Sequence, residues 1–269
     1  MKLSEAIKIL ADAKVPSPRH DARELFMRIG GMSLAELISA DASCDTPELI
    51  AAIERRKNRE PLQYIIGAVD FYRESYDVCP DCLIPRQDTE ILVDFAVNNI
   101  PSGEKFLDLC TGSGCVAIST LKNTKNTTAV AVDISEGAIR VANKNAQKNG
   151  VSARMELLLH DALDSPVGGK YFAILSNPPY VREDVYANLE PEIYFEPKIA
   201  FTAEDLGLEF YKKILSSYKK MLDPCGFFAF EIGFDQGASL KEIATLNEMS
   251  CEIIKDYSGN DRVAVIRPL

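Results

Sequence analysis

The sequence predicts an α/β fold, with a mostly parallel sheet, a closing C-terminal antiparallel hairpin and a small helical domain before the sheet. From residue 105 onward, short β-prone apolar runs alternate with amphipathic helical patterns, which is typical of a parallel sheet with helices on both faces. The first 58 residues carry helix signals and no strand candidate. The predicted segments are a helical domain at residues 1–58, a hairpin linker at 59–84 and a sheet domain at 85–269.

The helical domain is predicted from its helix starts. These are Ser17-Pro18, the capping-box pair Ser33 and Glu36, and Thr46-Pro47. The basic run at residues 54–59 is interpreted as a solvated helix end, where cations are favoured. Residues 63–83 alternate aromatic and polar side chains around Gly67, which predicts a hairpin in the linker.

The sheet domain is predicted from five apolar runs with helical patterns between them. The strands are Phe106-Leu107 and residues 128–132, 155–159, 171–175 and 227–230. Helices are predicted at residues 135–149 and 205–222. Residues 251–257 and 262–266 flank a Ser-Gly-Asn turn, and we expect them to form the closing hairpin.

Composition limits the class of protein. The 269 residues are 46% hydrophobic and the formal net charge is -10, which argues against a nucleic-acid backbone as the main partner. Seven cysteines, an odd count, favour reduced thiols and a cytoplasmic location. No apolar run approaches the ~18 residues of a membrane span, and the N-terminus predicts an amphipathic helix rather than a signal peptide.

The tetrapeptide Asn177-Pro178-Pro179-Tyr180 follows the apolar run 171–175, at the strand end where open α/β sheets bind ligands. The Asn177 oxygen and the Pro178 carbonyl can accept both hydrogens of a planar NH2 group, and Tyr180 offers a ring for stacking. Catalysis would then rest on orientation and a dry site. The alternative is a turn that caps the strand.

A second motif, Asp108 to Gly114, lies where the first sheet strand turns into a helix. Its glycines let a ligand approach the backbone, and Asp133 after the next strand can bind ribose hydroxyls. The pattern also satisfies the loose fingerprint of dinucleotide-binding proteins. A tight strand-to-helix turn that binds no ligand is a further alternative. The carboxylate of Asp108 favours S-adenosylmethionine, which is positively charged at its sulfur. It disfavours a pyrophosphate, which it would repel.

These residues resemble the class I S-adenosylmethionine-dependent methyltransferases, with a Rossmann-like sheet, that modify planar NH2 groups. Residues 84–90, 189–197 and 207–211 are similar to the HemK-like glutamine-N5 methyltransferases. The resemblance covers nearly the whole chain. Two departures are visible: Cys110 stands where many class I enzymes have the first glycine of the loop, and Gln87 stands where the family often has proline.

The resemblance implies methyl transfer from S-adenosylmethionine, leaving S-adenosylhomocysteine, to the Gly-Gly-Gln glutamine of peptide chain release factors. It implies no metal and no direct nucleic-acid contact, and it makes residues 1–58 a substrate-recognition domain. The implied cofactor contacts are Cys110, Thr111, Gly112, Ser113, Gly114, Asp133, Asp161, Ala162 and Asn177. The implied substrate contacts are Asn177, Pro178, Pro179 and Tyr180, of which Asn177, Pro178 and Tyr180 are the expected catalytic residues.

Other readings of the sequence stay open. A nucleic-acid adenine-N6 methyltransferase would share residues 177–180, the clamp for the NH2 group, but it needs a basic groove. A non-catalytic cofactor-binding module would not need the intact clamp. Cys79 and Cys82 form a C-x-x-C without a second pair at zinc spacing, and we expect no metal or redox role. Glu231 follows a strand and could line the pocket, but it is interpreted as a solvated strand end.

An acidic stretch directly follows the clamp. It comprises Glu183, Asp184, Glu190, Glu192 and Glu196. We expect it to receive a basic loop of the release factor, while the helical domain holds a second surface of that partner. An isolated Gly-Gly-Gln peptide would then be a poor substrate, and the Km for the intact factor would rise with salt.

Overall fold

The computed structural model describes residues 1–38 and 42–269. The chain divides into two compact units. The first comprises Met1–Ala68 together with Glu190–Phe195, and the second comprises Val69–Leu189 and Glu196–Leu269. In the described parts of the chain, we find no helix with the length and apolar character needed to cross a membrane.

The first unit is helical. Its helices are α1 (Leu3–Asp12), α2 (Pro18–Arg28), α3 (Leu34–Ile38), α4 (Pro47–Lys57) and α5 (Leu62–Ile66). Leu10, Leu25, Phe26 and Leu49 have no exposed surface and form the centre of its core.

The predicted helix starts are present in this unit. The Ser33 and Glu36 capping box is formed, with the Ser33 amide donating to Glu36 at 2.7 Å. Thr46 caps α4 by accepting from the Leu49 amide at 3.3 Å. Helix α5 is a correction, since the whole of residues 63–83 was expected to form a hairpin. It begins after Pro61 and ends at Gly67, whose φ of +80° suits glycine.

The basic run at the end of α4 is only partly the solvated helix end that was predicted. Arg55 and Lys57 are exposed, but Arg56 is buried. The Arg56 side chain is 5% exposed and donates to Asp21 at 2.7 Å and to Glu192 at 2.9 Å. Arg59 also pairs with Glu192, at 2.6 Å. A buried guanidinium needs such partners, because an unpaired buried charge is strongly destabilising.

The second unit is an α/β sheet structure, and it starts within the short hairpin of β1 (Ala68–Phe71) and β2 (Glu74–Asp77). Its other strands are β3 (Lys105–Leu109), β4 (Thr128–Asp133), β5 (Met155–Leu159), β6 (Tyr171–Ser176), β7 (Leu222–Glu231), β8 (Met249–Lys255) and β9 (Asp261–Pro268). Its helices are α6 (Glu90–Asn99), α7 (Cys115–Asn123), α8 (Glu136–Lys148), α9 (Glu183–Tyr186), α10 (Glu209–Tyr218) and α11 (Gly237–Leu246).

The seven-stranded sheet has the order β5-β4-β3-β6-β7-β9-β8. Strands β5, β4, β3, β6 and β7 are parallel, and β9 pairs antiparallel with β7 and β8. Successive side chains of β3 point to opposite faces, so Phe106 packs in one core cluster and Leu107 in the other. This confirms the predicted fold class.

Two elements begin four or five residues away from their predicted starts. Helix α10 begins at Glu209, because the preceding residues form a 3-10 turn in which Leu206 has a φ of +58°. Strand β7 begins at Leu222 instead of Phe227, and a bulge in its pairing with β6 allows the earlier start.

Candidate active site

Five parallel strands bring their carboxyl ends to one edge of the sheet. The residues at or just after these ends are Asp161 for β5, Asp133 for β4, Cys110 for β3, Asn177 for β6 and Glu231 for β7. The strand order reverses at β3, whose successor β4 lies on one side while β6 lies on the other. Such a switch point opens the crevice in which α/β proteins bind ligands.

A cavity of about 340 Å³ lies at this edge. Its lining includes six of the predicted cofactor residues: Cys110, Gly112, Asp133, Asp161, Ala162 and Asn177. Among the described residues that line it, four are acidic and none is lysine or arginine. The cavity therefore suits a cationic ligand better than a pyrophosphate, which needs positive partners.

Three predicted cofactor residues shape the loop without lining this cavity. Thr111 donates to the buried Asp108 carboxylate at 2.6 Å. Gly114 has a φ of +83° and precedes α7, and a Cβ there would approach Ile118 at 2.9 Å and Ala142 at 3.2 Å. Ser113 is buried, and its hydroxyl has no hydrogen-bond partner among the described residues.

Cys110 occupies a position whose backbone favours glycine. Its φ is +60°, in the left-handed region that costs an L-residue roughly 1–2 kcal/mol. Because Cys110 stands where many class I enzymes have the first glycine of the loop, a strained residue lies on the wall of the cavity. Gly112, two residues later, has a φ of +56° and open space where a Cβ would stand, so the backbone there is accessible to a ligand.

Asp133 fastens the glycine loop to the end of β4. Its two oxygens accept from the Gly112 amide at 2.8 Å and from the Ser135 amide at 2.9 Å. Burial raises the pKa of Asp133, and the backbone hydrogen bonds oppose that rise. An ionised carboxylate has about four acceptor positions, so the two engaged here leave room for ligand hydroxyls.

Asp108 does not line the cavity, which corrects the argument that its carboxylate faces the ligand. It is 1% exposed and accepts from Thr111 and from the Ala117 amide at 3.2 Å, so it ties the loop to the first turn of α7. Burial raises the pKa of Asp108 to about 7. The acidic character of the cavity comes instead from the four residues Asp81, Asp133, Asp161 and Glu209.

The clamp is stiff and partly enclosed. Pro178 and Pro179 are buried, and Asn177 and Tyr180 are half-buried. Asn177 lines the large cavity and also a second one of about 70 Å³, which Tyr180 lines as well. The clamp therefore stands between a cofactor-sized space and a small side-chain-sized space.

Two residues next to the clamp were missed or misjudged. Thr89, for which no role was predicted, accepts from the Asn177 amide nitrogen at 3.1 Å. Glu231 was expected to be a solvated strand end, but it is 2% exposed and accepts from the Tyr180 hydroxyl at 3.2 Å. Its position at the end of β7, beside β6, is the signal that could have identified it.

The acidic stretch after the clamp does not form a free negative surface. Each of its members has a basic partner within the chain: Lys198 for Glu183, Arg182 for Asp184, Arg59 for Glu190, Arg56 and Arg59 for Glu192, and Arg86 for Glu196. Glu196 is 5% exposed and also accepts from the Ile84 amide at 2.9 Å. Glu196 is buried and Glu192 is paired with two arginines, so these two do not belong to an open acidic surface. For the exposed Glu183, Asp184 and Glu190, the expectation that a basic loop binds here stays a prediction.

The remaining polar candidates show no catalytic arrangement. His160 contacts the Ser165 carbonyl at 2.6 Å, and Cys79 and Cys82 are not joined by a disulfide. Residues 1–38 and 42–269 contain no group of three or more His, Cys, Asp or Glu side chains able to hold a metal ion.

The fold and the site define a methyltransferase. Residues 87–192 match the family model described as the methyltransferase small domain, and residues 2–67 match the PrmC N-terminal domain. A crystal structure of ribosomal protein L11 methylase from Lactobacillus delbrueckii subsp. bulgaricus is similar in fold, with a TM-score of 0.53 and 20% identity over 71% of this chain and 84% of that one.

Curated relatives specify the family. A release factor glutamine methyltransferase of Moorella thermoacetica is 35% identical over 97% of this chain and 95% of its own length. Another, of Thermodesulfovibrio yellowstonii, is 38% identical over 80% of this chain and 79% of its own. The chain belongs to the release factor glutamine methyltransferase family.

Proposed function

We propose that this protein transfers a methyl group from S-adenosylmethionine to the side-chain amide nitrogen, N5, of the glutamine in the Gly-Gly-Gln motif of peptide chain release factors. The observation that carries the proposal is the position of Asn177. Its side chain lines both the large cavity beside the glycine loop and the small cavity beside Tyr180, so a methyl donor and an amide acceptor can meet there.

The large cavity fits the cofactor. Its acidic residues suit the sulfonium and ammonium charges, and its apolar residues Val132, Ala138 and Ile199 suit a nucleoside base. Gly112 would lie against it, Asp133 would accept from the ribose hydroxyls, and Asp161 with Ala162 would complete the wall. When bound, S-adenosylmethionine supplies an electrophilic methyl carbon on a cationic sulfur.

The clamp residues would prepare a poor nucleophile. An amide nitrogen reacts weakly because its lone pair is delocalised into the carbonyl. The Asn177 oxygen and the Pro178 carbonyl would hold both N–H bonds, while Pro179 stiffens the loop and the Tyr180 ring covers the planar group. Correct orientation in a water-excluded site can supply about 7–11 kcal/mol, so no strong base is required before transfer. The C–S bond electrons stay on sulfur, and the methylated nitrogen, which is then strongly acidic, releases one proton after the transfer.

Asn177→Ala tests this assignment. We expect kcat to fall by about 10²–10³, because a lost transition-state hydrogen bond is worth about 2.7–4 kcal/mol. The assay is transfer of tritiated methyl to purified release factor, with the modified glutamine located by mass spectrometry. Asn188→Ala is the matched control, since that side chain donates to the Asp184 carbonyl on the surface. A near-normal kcat in the Asn177 variant would contradict the mechanism in which Asn177 holds the acceptor NH2 group.

We infer that the partner is the folded release factor rather than a short peptide. The helical segment of residues 1–58 would hold a second surface of that partner, so an isolated Gly-Gly-Gln peptide should have a much lower kcat/KM than the intact factor. Equal kcat/KM values for the peptide and the intact factor would show that the enzyme recognises only the residues that enter the clamp. The nucleic-acid adenine-N6 alternative gains no support from the relatives, and label appearing in nucleic acid in a cell extract would revive it.

A further inference from the structure

The small cavity beside the clamp has a buried carboxylate on its wall. Glu231 is 2% exposed and lines this cavity of about 70 Å³ together with Asn177 and Tyr180. One of its oxygens accepts from the Tyr180 hydroxyl at 3.2 Å, and the other has no hydrogen-bond partner among the described residues. Because buried carboxylate oxygens are normally paired, a half-satisfied carboxylate on the wall of a cavity indicates a functional constraint.

The charge of Glu231 is not compensated from within the small cavity. Of the described residues that line it, Arg86 and Glu231 are the two that carry a charge. Arg86 pairs with Glu196, whose side chain is 1% exposed, so the positive charge already has a buried counter-ion. The small cavity therefore has a net negative wall.

The cation behind Glu231 is also shared with other carboxylates. Arg262 lies on β9, which pairs with the end of β7 that carries Glu231. Its guanidinium is 3.2 Å from Asp88 and 3.2 Å from Asp256. Because two carboxylates divide this one positive charge, Arg262 does not neutralise Glu231 as well.

The proposed reaction moves a positive charge toward this carboxylate. A C–N bond forms while the C–S bond breaks, and the electrons of the C–S bond stay on sulfur. The sulfur becomes neutral and the acceptor nitrogen becomes positive, so the charge leaves the large cavity for the small one. The four acidic residues of the large cavity favour the starting distribution of charge, and a carboxylate in the small cavity favours the final one.

We propose that Glu231 is a catalytic residue that stabilises the positive charge developing on the acceptor nitrogen and then takes the excess proton. The inference rests on the proposed function and names the group that receives the proton. One N–H bond of the methylated nitrogen breaks, its electron pair stays on nitrogen, and the proton binds Glu231 directly or through one water. The results are a neutral N-methyl amide and a carboxylic acid, which then loses its proton to solvent.

The ionised form of Glu231 is the active form, so the rate depends on its pKa. Burial raises the pKa of Glu231, Arg262 and the Tyr180 hydroxyl lower it, and Asp88 raises it. Burial is the largest of these effects, so the pKa lies above the ordinary glutamate value of about 4.3. The rate should therefore fall as the pH drops through this raised pKa.

The test measures kcat from pH 5 to 9 for the full-length wild type and Glu231→Gln, with purified release factor and saturating S-adenosylmethionine. At high pH we expect Glu231→Gln to lower kcat by about 10²-fold, the lower end of the range for proton-transfer catalysis. KM and the cofactor Kd should stay within about 3-fold, because the charge develops only in the transition state and Glu231 does not line the large cavity.

The ratio of the two kcat values identifies the titrating group. It should fall toward 1 as the pH drops, because the wild-type carboxylate becomes protonated and loses its charge. Every other carboxyl is present in both proteins, so the pH dependence of the ratio isolates Glu231. A ratio that does not change with pH would overturn the proposal, and so would a normal kcat in folded Glu231→Gln.

Tyr180→Phe separates this role from mere support of the clamp ring. The change removes the hydroxyl that donates to Glu231 and so raises the pKa of that carboxyl. The fall of kcat at low pH should persist in Tyr180→Phe and move to higher pH. Its loss, or a fall at an unchanged pH, would show that Glu231 acts only by holding Tyr180 or that another group titrates.

Glu74→Gln is the matched control. Glu74 is also a buried carboxylate, 8% exposed, which accepts from the Ser119 hydroxyl at 3.0 Å and lines neither cavity. Its kcat and pH profile should match those of the wild type. If the wild type does not methylate release factor, the proposed function falls and the role of Glu231 falls with it. If the wild type is active and Glu231→Gln is equally fast, only the role of Glu231 falls.

Discussion

The buried Asp108 makes the stability of the protein depend on pH in an unusual direction. Its carboxylate oxygen Oδ2 accepts from Thr111 at 2.6 Å and from the Ala117 amide at 3.2 Å, so an asparagine oxygen in the same place can keep both bonds. Asp108→Asn therefore removes the titrating carboxyl group but keeps both hydrogen bonds. The expected result is a variant whose stability no longer falls as the pH rises from 4 to 7.

The magnitude follows from the pKa of the carboxyl in the two states. Burial raises the pKa of Asp108 to about 7 in the folded protein, and the unfolded chain has about 3.9. Between these values the folded state keeps a proton that the unfolded state loses, so stability is complete below pH 4 and falls by about 1.4 kcal/mol per pH unit as the pH rises. The total loss by pH 8 is on the order of 4 kcal/mol.

Urea unfolding of the cofactor-free protein at pH 5, 6, 7 and 8 measures this effect. The free energy of unfolding of Asp108→Asn minus that of the wild type should grow by about 1.4 kcal/mol per unit up to pH 7 and then level off. Asp77→Asn is the control. Hydrogen bonds from Lys144 and Lys148 lower the pKa of Asp77, so its difference from the wild type should be constant over this range. Parallel pH profiles for Asp108→Asn and the wild type would refute the reasoning.

Two further predictions concern the cofactor loop. Asp133→Ala should weaken S-adenosylmethionine binding by about 1.5–3 kcal/mol in calorimetric titration, since a charge-assisted hydrogen bond is lost and the Gly112 amide is released. Asp223→Ala, which removes a carboxylate that accepts from the Cys225 amide, is the control and should leave Kd unchanged. Gly114→Ala should lower the melting temperature and weaken cofactor binding, because its φ of +83° and the 2.9 Å approach to Ile118 both oppose a Cβ. Wild-type values for Gly114→Ala would show that the loop tolerates the side chain.

Local sequence patterns predicted most of the elements that carry the site. Strand β4 was expected at residues 128–132 and is Thr128–Asp133. Helix α8 was expected at residues 135–149 and is Glu136–Lys148, with Ser135 capping it through the Ala138 amide at 3.2 Å. These elements were predictable because alternation, capping and turn chemistry act within a few residues of each other.

Pairing between distant charged residues was not predictable in this way. Arg56 and Glu192 are 136 positions apart, and from their local surroundings Arg56 was assigned to solvent and Glu192 to a partner-binding surface. The basic run resembled a helix end and the acidic stretch resembled a binding surface, yet Arg56 and Arg59 of the run pair with Glu192 of the stretch within the first unit. The positions of charged residues along the chain do not show which of them pair, because pairing depends on which surfaces the fold brings together.

The same reasoning explains why Glu231 was misjudged while Asn177 was not. Asn177 belongs to a contiguous motif, whereas Glu231 lies 51 positions from Tyr180, and Thr89 lies 88 positions from Asn177. The missing information was the strand order, which places β7 beside β6. Each of the five parallel strands has a polar or thiol side chain at or just after its carboxyl end, and those ends share one edge. In a parallel sheet, a polar residue at that position should therefore be treated as a site candidate before it is assigned to solvent.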